Sequence, residues 1–284
     1  MAGAVRALRE AGIADRLKEQ TGHFVDYGDV PLSDIREDAG PRNLLNFGQF
    51  MQDTERIRSA VARVDCEGLM FGLGGECSIC VGTLAGLKAK RNGNPGIVWI
   101  DAHGDFNTPE TSPSGYIGGM CLAMACGRGP KLDDIAQDRE PLVRRENVVH
   151  LGSRSLDSME SASMSSSAMR IYPASAMREK EAASTISSAI DSLAGHCDWL
   201  LCHLDIDSID PRIMPAVNFP AMNGLNLDEI RSIVDAADRT GKMKLFELAG
   251  YNPTLDPQGI SAMRLTQLVS DAFRPLHETP EVNP

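Results

Sequence analysis

Five short apolar runs, separated by segments with helical spacing, govern what this chain can fold into. They are "GLMFGLGG" (68–75), "GIVWID" (96–101), "NVVHLG" (147–152), "DWLLCHLDID" (198–207) and "KMKLFEL" (242–248). Near-continuous apolar runs of this length suit strands buried on both faces, the state of strands in a parallel sheet. Between them lie helical patterns at about 43–65, 78–90, 179–195, 227–240 and 260–273. Residues 2–20 read as a further helix and "HFVDYG" (23–28) as a further strand. The Ser/Met-rich stretch "SASMSSSAM" (161–169) reads as a loop or a poorly stable helix. Strand and helix in alternation predict an α/β fold: three αβα layers around a mostly parallel central sheet. No linker or shift in composition divides the chain, so a single domain spanning 1–284 is expected.

The ends of these runs carry the chemistry. "DAHGD" places Asp101, His103 and Asp105 at every second position, and "HLDID" adds Asp205 and Asp207. If the extended conformation continues, alternation aims Asp101, His103 and Asp105 the same way. Two more polar clusters, "GGECSIC" (74–80) and "FELAGYNP" (246–253), also follow apolar runs. In an open parallel sheet, functional groups gather in the crevice beyond the carboxyl ends of the strands. Carboxylates converging there repel one another and are costly to bury unpaired. A divalent metal, or two sharing carboxylate bridges, removes the conflict.

Bulk properties narrow the partners. The formal charge of −11 argues against nucleic acid or an anionic membrane. No apolar stretch approaches the roughly 18 residues a membrane span needs, and the opening residues lack a signal-peptide core. Seven cysteines at irregular spacing fit reduced thiols in a cytoplasm. His150 reads as a core histidine. A role behind the metal ligands stays open for His203.

Together these segments resemble the ureohydrolase superfamily of arginase, agmatinase and formiminoglutamase. "DAHGDFNTPETSPSGYIGGM" is similar to that family's DAHxD…TP…SGxxHG block, and "HLDIDSIDPRIMPAVNFPAMNGL" to its DVDxxDP…GGL block. "GGECS" is similar to GGDHS, "AGYNPTLD" to ExNPxxD, and "DYGDV" to D-x-GD. The resemblance implies an arginase-like fold that assembles as trimers or hexamers. It further implies two Mn²⁺ ions that activate water for attack on a guanidinium or amidine carbon. Asp101 and Asp205 would bridge both ions, His103 and Asp207 would complete one site, and Asp105 with residue 77 the other. Asp105 would also orient the attacking water or take its proton. Asn107 and Ser114 fall where arginase holds a substrate α-carboxylate, and Asp157 and Glu160 where it reaches the α-amino group.

Four positions depart from the pattern. Cys77 stands where the family has a histidine ligand, which weakens that site for Mn²⁺ and favours Zn²⁺ or Fe²⁺. Gly118 replaces a proton-shuttle histidine and Gly250 a glutamate that pairs with the guanidinium. Phe219 replaces a small hydroxyl residue and predicts a narrower, drier pocket floor. Glu247 lies three residues before Gly250, an odd offset that points it to the opposite face unless the strand bulges. The family also normally opens with a strand, whereas this chain begins at a helix. The expectation is a metal-dependent C–N hydrolase for an arginine-like amino acid whose guanidine is modified, such as an N-hydroxyguanidine. The alternatives are a catalytically silent relative serving as a structural or regulatory subunit, and a one-metal hydrolase of deacetylase type.

Overall fold

The structure, a computed structural model, describes residues 1, 3–21, 24–33, 38–65, 67–132, 135 and 141–273. Its centre is a sheet of six strands: β1 (Met70–Leu73), β2 (Pro95–Ile100), β3 (Val148–Leu151), β4 (Arg170–Tyr172), β5 (Trp199–Asp205) and β6 (Met243–Ala249). Their spatial order is β1-β6-β5-β2-β3-β4, and every neighbouring pair is parallel. The helices are α1 (Ala4–Glu10), α2 (Ile13–Thr21), α3 (Phe47–Arg63), α4 (Ile79–Lys90), α5 (Cys121–Ala125), α6 (Ser158–Ser165), α7 (Ala182–His196), α8 (Leu227–Arg239) and α9 (Ile260–Ala272).

Alternation along the strands divides the core in two. Val98, Ile100, Val149, Leu200, Cys202, Leu204, Phe246 and Leu248 pack on α1, α2, α7, α8 and α9. Ile97, Trp99, Val148, Leu201 and Leu245 face the other way, onto α3, α4 and α5. Both faces of the sheet are therefore covered, the three-layer arrangement that the near-continuous apolar runs predict. No helix among the described residues is long and apolar enough to cross a membrane.

The topology decides where function can sit. From β2 the chain moves to β3 on one side, whereas from β5 it moves to β6 on the other. The sheet thus reverses direction between β2 and β5, and a crevice opens beyond their carboxyl ends. Pairing of Ile100 with Leu204 brings Asp101 and Asp205 to the same level of adjacent strands.

Two local expectations are corrected, and a third is decided between its alternatives. The first helix is two helices, broken at Ala11–Gly12. Residues 24–28 form no strand: the Asp26 carboxylate accepts the Gly28 N–H at 2.8 Å, a local turn that competes with sheet pairing. Residues 22 and 23 lie outside the described set. The stretch 161–169 is helical through Ser165, started by a capping box in which the Glu160 side chain returns to the Asp157 backbone N–H, and anchored by buried Met164. β4, three half-buried residues at the sheet edge, is too short to announce itself by periodicity.

Candidate metal centre and its cavity

The i, i+2 spacing of the acidic motifs has a local cause. Where β2 ends, Asp101 Oδ1 accepts the His103 N–H at 2.7 Å, and where β5 ends, Asp205 Oδ1 accepts the Asp207 N–H at 2.9 Å. Each aspartate stops its strand with one oxygen and keeps the other for a side-chain partner, the Trp99 indole N–H on Asp101 and the Cys77 thiol on Asp205. Asp207 Oδ1 reaches across to the Ala102 N–H at 3.3 Å, tying the two strand ends together.

Two groups of three side chains converge there, with ligand atoms all within 4.8 Å of one another in each. One is Cys77, Asp101 and Asp205; the other is Asp101, His103 and Asp207. Asp101 is common to both, as a bridge would be, whereas Asp205 belongs only to the thiol group. Asp105 lies outside both groups. Its φ of +47° ends the alternation that would have aimed it with Asp101 and His103, and its Oδ2 faces the Cys121 thiol at 3.3 Å.

The electrostatics show what the site needs. Asp101, Asp105, Asp205 and Asp207 are all buried. Burial and neighbouring carboxylates push Asp105 and Asp207 well above the usual carboxylate range and Asp205 up to about 6. Burial also works against the charge on Asp101, but hydrogen bonds from His103 hold that carboxyl below its ordinary value. Desolvation opposes a charge on His103 as well. Asp101 and Asp207 override it and push the imidazole up to about 11, with Nδ1 at 3.1 Å from Asp207 Oδ2. Burial raises the Cys77 thiol well above its ordinary range, and Sγ donates to Asp205 Oδ2 at 2.8 Å. Protons thus stand between ligand atoms, and a divalent cation in each group would displace them. Carboxylate oxygens, an imidazole and a thiol, sharing one aspartate, fit a pair of transition-metal cations.

A supporting layer lies on the same face of the sheet. Trp99 donates from Nε1 to Asp101 Oδ2 at 3.0 Å, and its ring stacks on His203 at 3.9 Å. His203 Nδ1 pairs with Glu247 Oε2 at 2.9 Å, and the Thr83 hydroxyl donates to the other Glu247 oxygen. Glu247 is fully buried behind the site, on the face that carries Trp99 and Asp101, and not on the opposite face that its odd offset from Gly250 would give, because left-handed backbone at Gly250 breaks the alternation. Sequence reasoning missed Arg154, whose guanidinium donates to the carbonyls of Asp207 at 2.7 Å, Ser208 at 3.1 Å and Ala221 at 2.8 Å. A cation spent on loop carbonyls has no spacing signature. Burial lowers His150 to about 4, which keeps it a neutral core histidine.

A cavity of about 250 Å³ opens over both groups. Cys77, His103, Asp105, Asp205 and Asp207 line it together with Asn107, Ser114, Asp157 and Glu160, so every sequence-predicted site residue except buried Asp101 faces one space. Asn107 donates to Asp157 Oδ2 at 3.0 Å, and Glu160 accepts the Phe106 N–H at 2.9 Å. Phe219 is a correction to the expected floor: it is 52% exposed and stands at the mouth, with its ring 5.6 Å from Tyr116 and 6.2 Å from His103.

The arginase family model matches residues 2–274. This chain belongs to the arginase family. The arginase of Bacillus subtilis (strain 168) is 33% identical over 266 residues, covering 93% of this chain and 88% of the relative. The arginase of Bacillus caldovelox is 33% identical over 271 residues, covering 94% and 90%. The solved structure of the Bacillus caldovelox arginase gives a TM-score of 0.88 at 31% identity over 95% of this chain and 91% of that chain. The arginase of Entamoeba histolytica in complex with L-ornithine gives 0.87 at 25% identity, over 95% of this chain and 92% of that chain. The protein is a hydrolase of ureohydrolase type, on an arginase-like α/β fold.

Membership sharpens the meaning of Gly250. Its φ is +87°, and a Cβ there would overlap Asp205 Oδ1. Restoring the family glutamate at this position is therefore expected to displace a metal-site carboxylate. We expect Gly250→Glu to melt roughly 5 °C lower than the parent and to bind less metal, without gaining arginine turnover. Thermal unfolding with and without Mn²⁺ measures the first two. An unchanged metal content would show that the strand end relaxes around the new side chain.

Proposed function

We propose that this arginase-family hydrolase cleaves a C–N bond in the guanidino or amidino group of an arginine-like amino acid, with an N-hydroxylated guanidine as the preferred form. One observation carries the reading. Six carboxylates line the cavity (Glu76, Asp105, Asp157, Glu160, Asp205 and Asp207), with no lysine or arginine among the lining residues. Such a cavity selects a ligand that carries positive charge. The L-ornithine complex of the Entamoeba histolytica relative supports an amino-acid shape.

In this reading Asp101, His103 and Asp207 would hold one Mn²⁺, and Cys77, Asp101 and Asp205 would hold a second, weaker one for which Zn²⁺ or Fe²⁺ would compete. When bound, such a pair lowers the pKa of water and supplies a nucleophile at neutral pH. Asp105, which lines the cavity, would orient the attacking water and take its proton. His103 would be both ligand and catalytic residue: it lines the cavity, and its Nδ1 lies 3.6 Å from Asp101 Oδ1 and 3.1 Å from Asp207 Oδ2. Asn107 and Ser114 hold the α-carboxylate, while Asp157 and Glu160 face the α-amino group. Glu160 also fixes the wall, because its oxygens already hold two backbone N–H groups. The missing side chains at Gly118 and Gly250 favour a less basic head over arginine itself. We further propose a single domain that works in the cytoplasm as a homo-oligomer, trimer or hexamer, on a small-molecule substrate rather than nucleic acid or membrane.

The test is turnover of arginine, N-hydroxyarginine, agmatine and formiminoglutamate by protein loaded separately with Mn²⁺, Fe²⁺ and Zn²⁺. N-hydroxyarginine is expected to give the highest kcat/KM. No turnover on any of them sinks the proposal. Together with a stable mixed oligomer with an active relative in native mass spectrometry, that result would favour the silent-subunit reading, which the bare positions 118 and 250 motivate.

A further inference from the structure

The six cavity carboxylates are not equally committed. Asp205 and Asp207 belong to the metal groups, and Asp105 faces the Cys121 thiol. Asp157 receives the Asn107 amide, and Glu160 receives the N–H groups of Phe106 and Asp157. Glu76 differs. Among the described residues its partners are two side-chain hydroxyls, Tyr116 on Oε2 and Ser78 on Oε1 at 2.7 Å. Hydroxyl donors can turn away or share an acceptor, so this carboxylate keeps lone pairs for a ligand.

Its placement suits the substrate's head rather than its amino-acid end. Glu76 precedes Cys77 in the chain, at the metal end of the cavity, and Gly250 lines the same space. Tyr116 fills the room beside the bare position 118: a Cβ on Gly118 would lie 2.5 Å from Tyr116 Cε1 and 2.9 Å from its hydroxyl oxygen. Burial and the neighbouring Glu76 push the Tyr116 hydroxyl far above its ordinary range, so it keeps its proton as a donor. The ring of Phe219 flanks Tyr116 on the mouth side.

We infer that Glu76, oriented by the Tyr116 hydroxyl, is the carboxylate that pairs with the cationic amidino head, in place of any side chain at positions 118 or 250. The inference rests on the proposed function and names its head-binding residue. Glu76 touches the substrate, whereas Tyr116 acts through Glu76 and is a positioning residue.

The experiment uses the Mn²⁺-loaded protein, the best-turned-over member of the substrate panel, and L-norleucine. Norleucine keeps the amino-acid end but has no cationic head. Glu76→Gln is expected to raise KM for the substrate roughly 30-fold or more, with Mn²⁺ content and norleucine Kd unchanged. Glu76→Asp should recover part of that loss. Tyr116→Phe should raise KM by roughly threefold to tenfold with less effect on kcat. An unchanged KM in Glu76→Gln, while the parent turns substrate over, would overturn the inference and leave the function standing. Equal weakening of norleucine would also overturn it, since the defect would then be structural. A parent that turns over nothing on the panel removes both.

Discussion

Asp101→Asn is expected to empty both metal groups and lower turnover by roughly three orders of magnitude, on the order of 4 kcal/mol of barrier. The size follows from the place of this one side chain. Asp101 is 1% exposed, belongs to both groups, and is held by the Trp99 indole N–H at 3.0 Å and the His103 N–H at 2.7 Å. Asparagine has nearly the same shape but only one acceptor oxygen, so it must turn an N–H₂ toward one of those donors or toward the cations. The charge that offsets two divalent ions is lost at the same time. Elemental analysis after equilibration with Mn²⁺ reads metal content, and circular dichroism checks that the fold survives. Asp157→Asn serves as contrast: it should keep its metal and raise KM, because it belongs to neither group. Full metal content in Asp101→Asn would show that the shared aspartate is not a bridge.

The candidate metal centre is legible in the sequence because its residues sit where the pattern of the chain changes. Asp101 and Asp205 end apolar runs, and a carboxylate at the end of a buried strand has few structural reasons to be there. Sheet order did the rest, as the reversal between β2 and β5 sets both strand ends side by side. What stayed hidden depends on the path of loops. Asp105 seemed aligned with Asp101 and His103 on strict alternation, but left-handed backbone at that residue breaks the period. Glu76 and Tyr116 are 40 residues apart and meet only because the loop after β2 folds back over the start of α4. Phe219 was assigned to the floor from a motif position, whereas the loop after β5 carries it to the mouth. Parity misleads at Glu247 as well, since left-handed backbone at Gly250 breaks the alternation that would have set the two on opposite faces.

Replacing the unusual ligand should have the opposite sign to replacing the shared one. Cys77→His is expected to raise Mn²⁺ affinity of the thiol group at pH 7 by at least about 100-fold, close to 2.7 kcal/mol. To bind, the parent thiol must lose a proton. An ordinary thiol titrates near 9.0, and burial with Asp205, Asp105 and Asp101 nearby raises Cys77 well above that. Each pH unit below that value costs a factor of ten in apparent affinity. Neutral imidazole pays little of this at pH 7 and is the better match for Mn²⁺, whereas thiolate favours Zn²⁺. The pH dependence separates the two forms. In the parent, affinity of the second ion should climb about tenfold per unit between pH 7 and 9, as the proton becomes easier to release. In Cys77→His it should flatten once imidazole is neutral. Cys77 lines the cavity, so the larger ring has space on that side. Calorimetric titration with Mn²⁺ and Zn²⁺ at several pH values decides the matter. A pH-independent second ion in the parent would show that Cys77 does not ligate it.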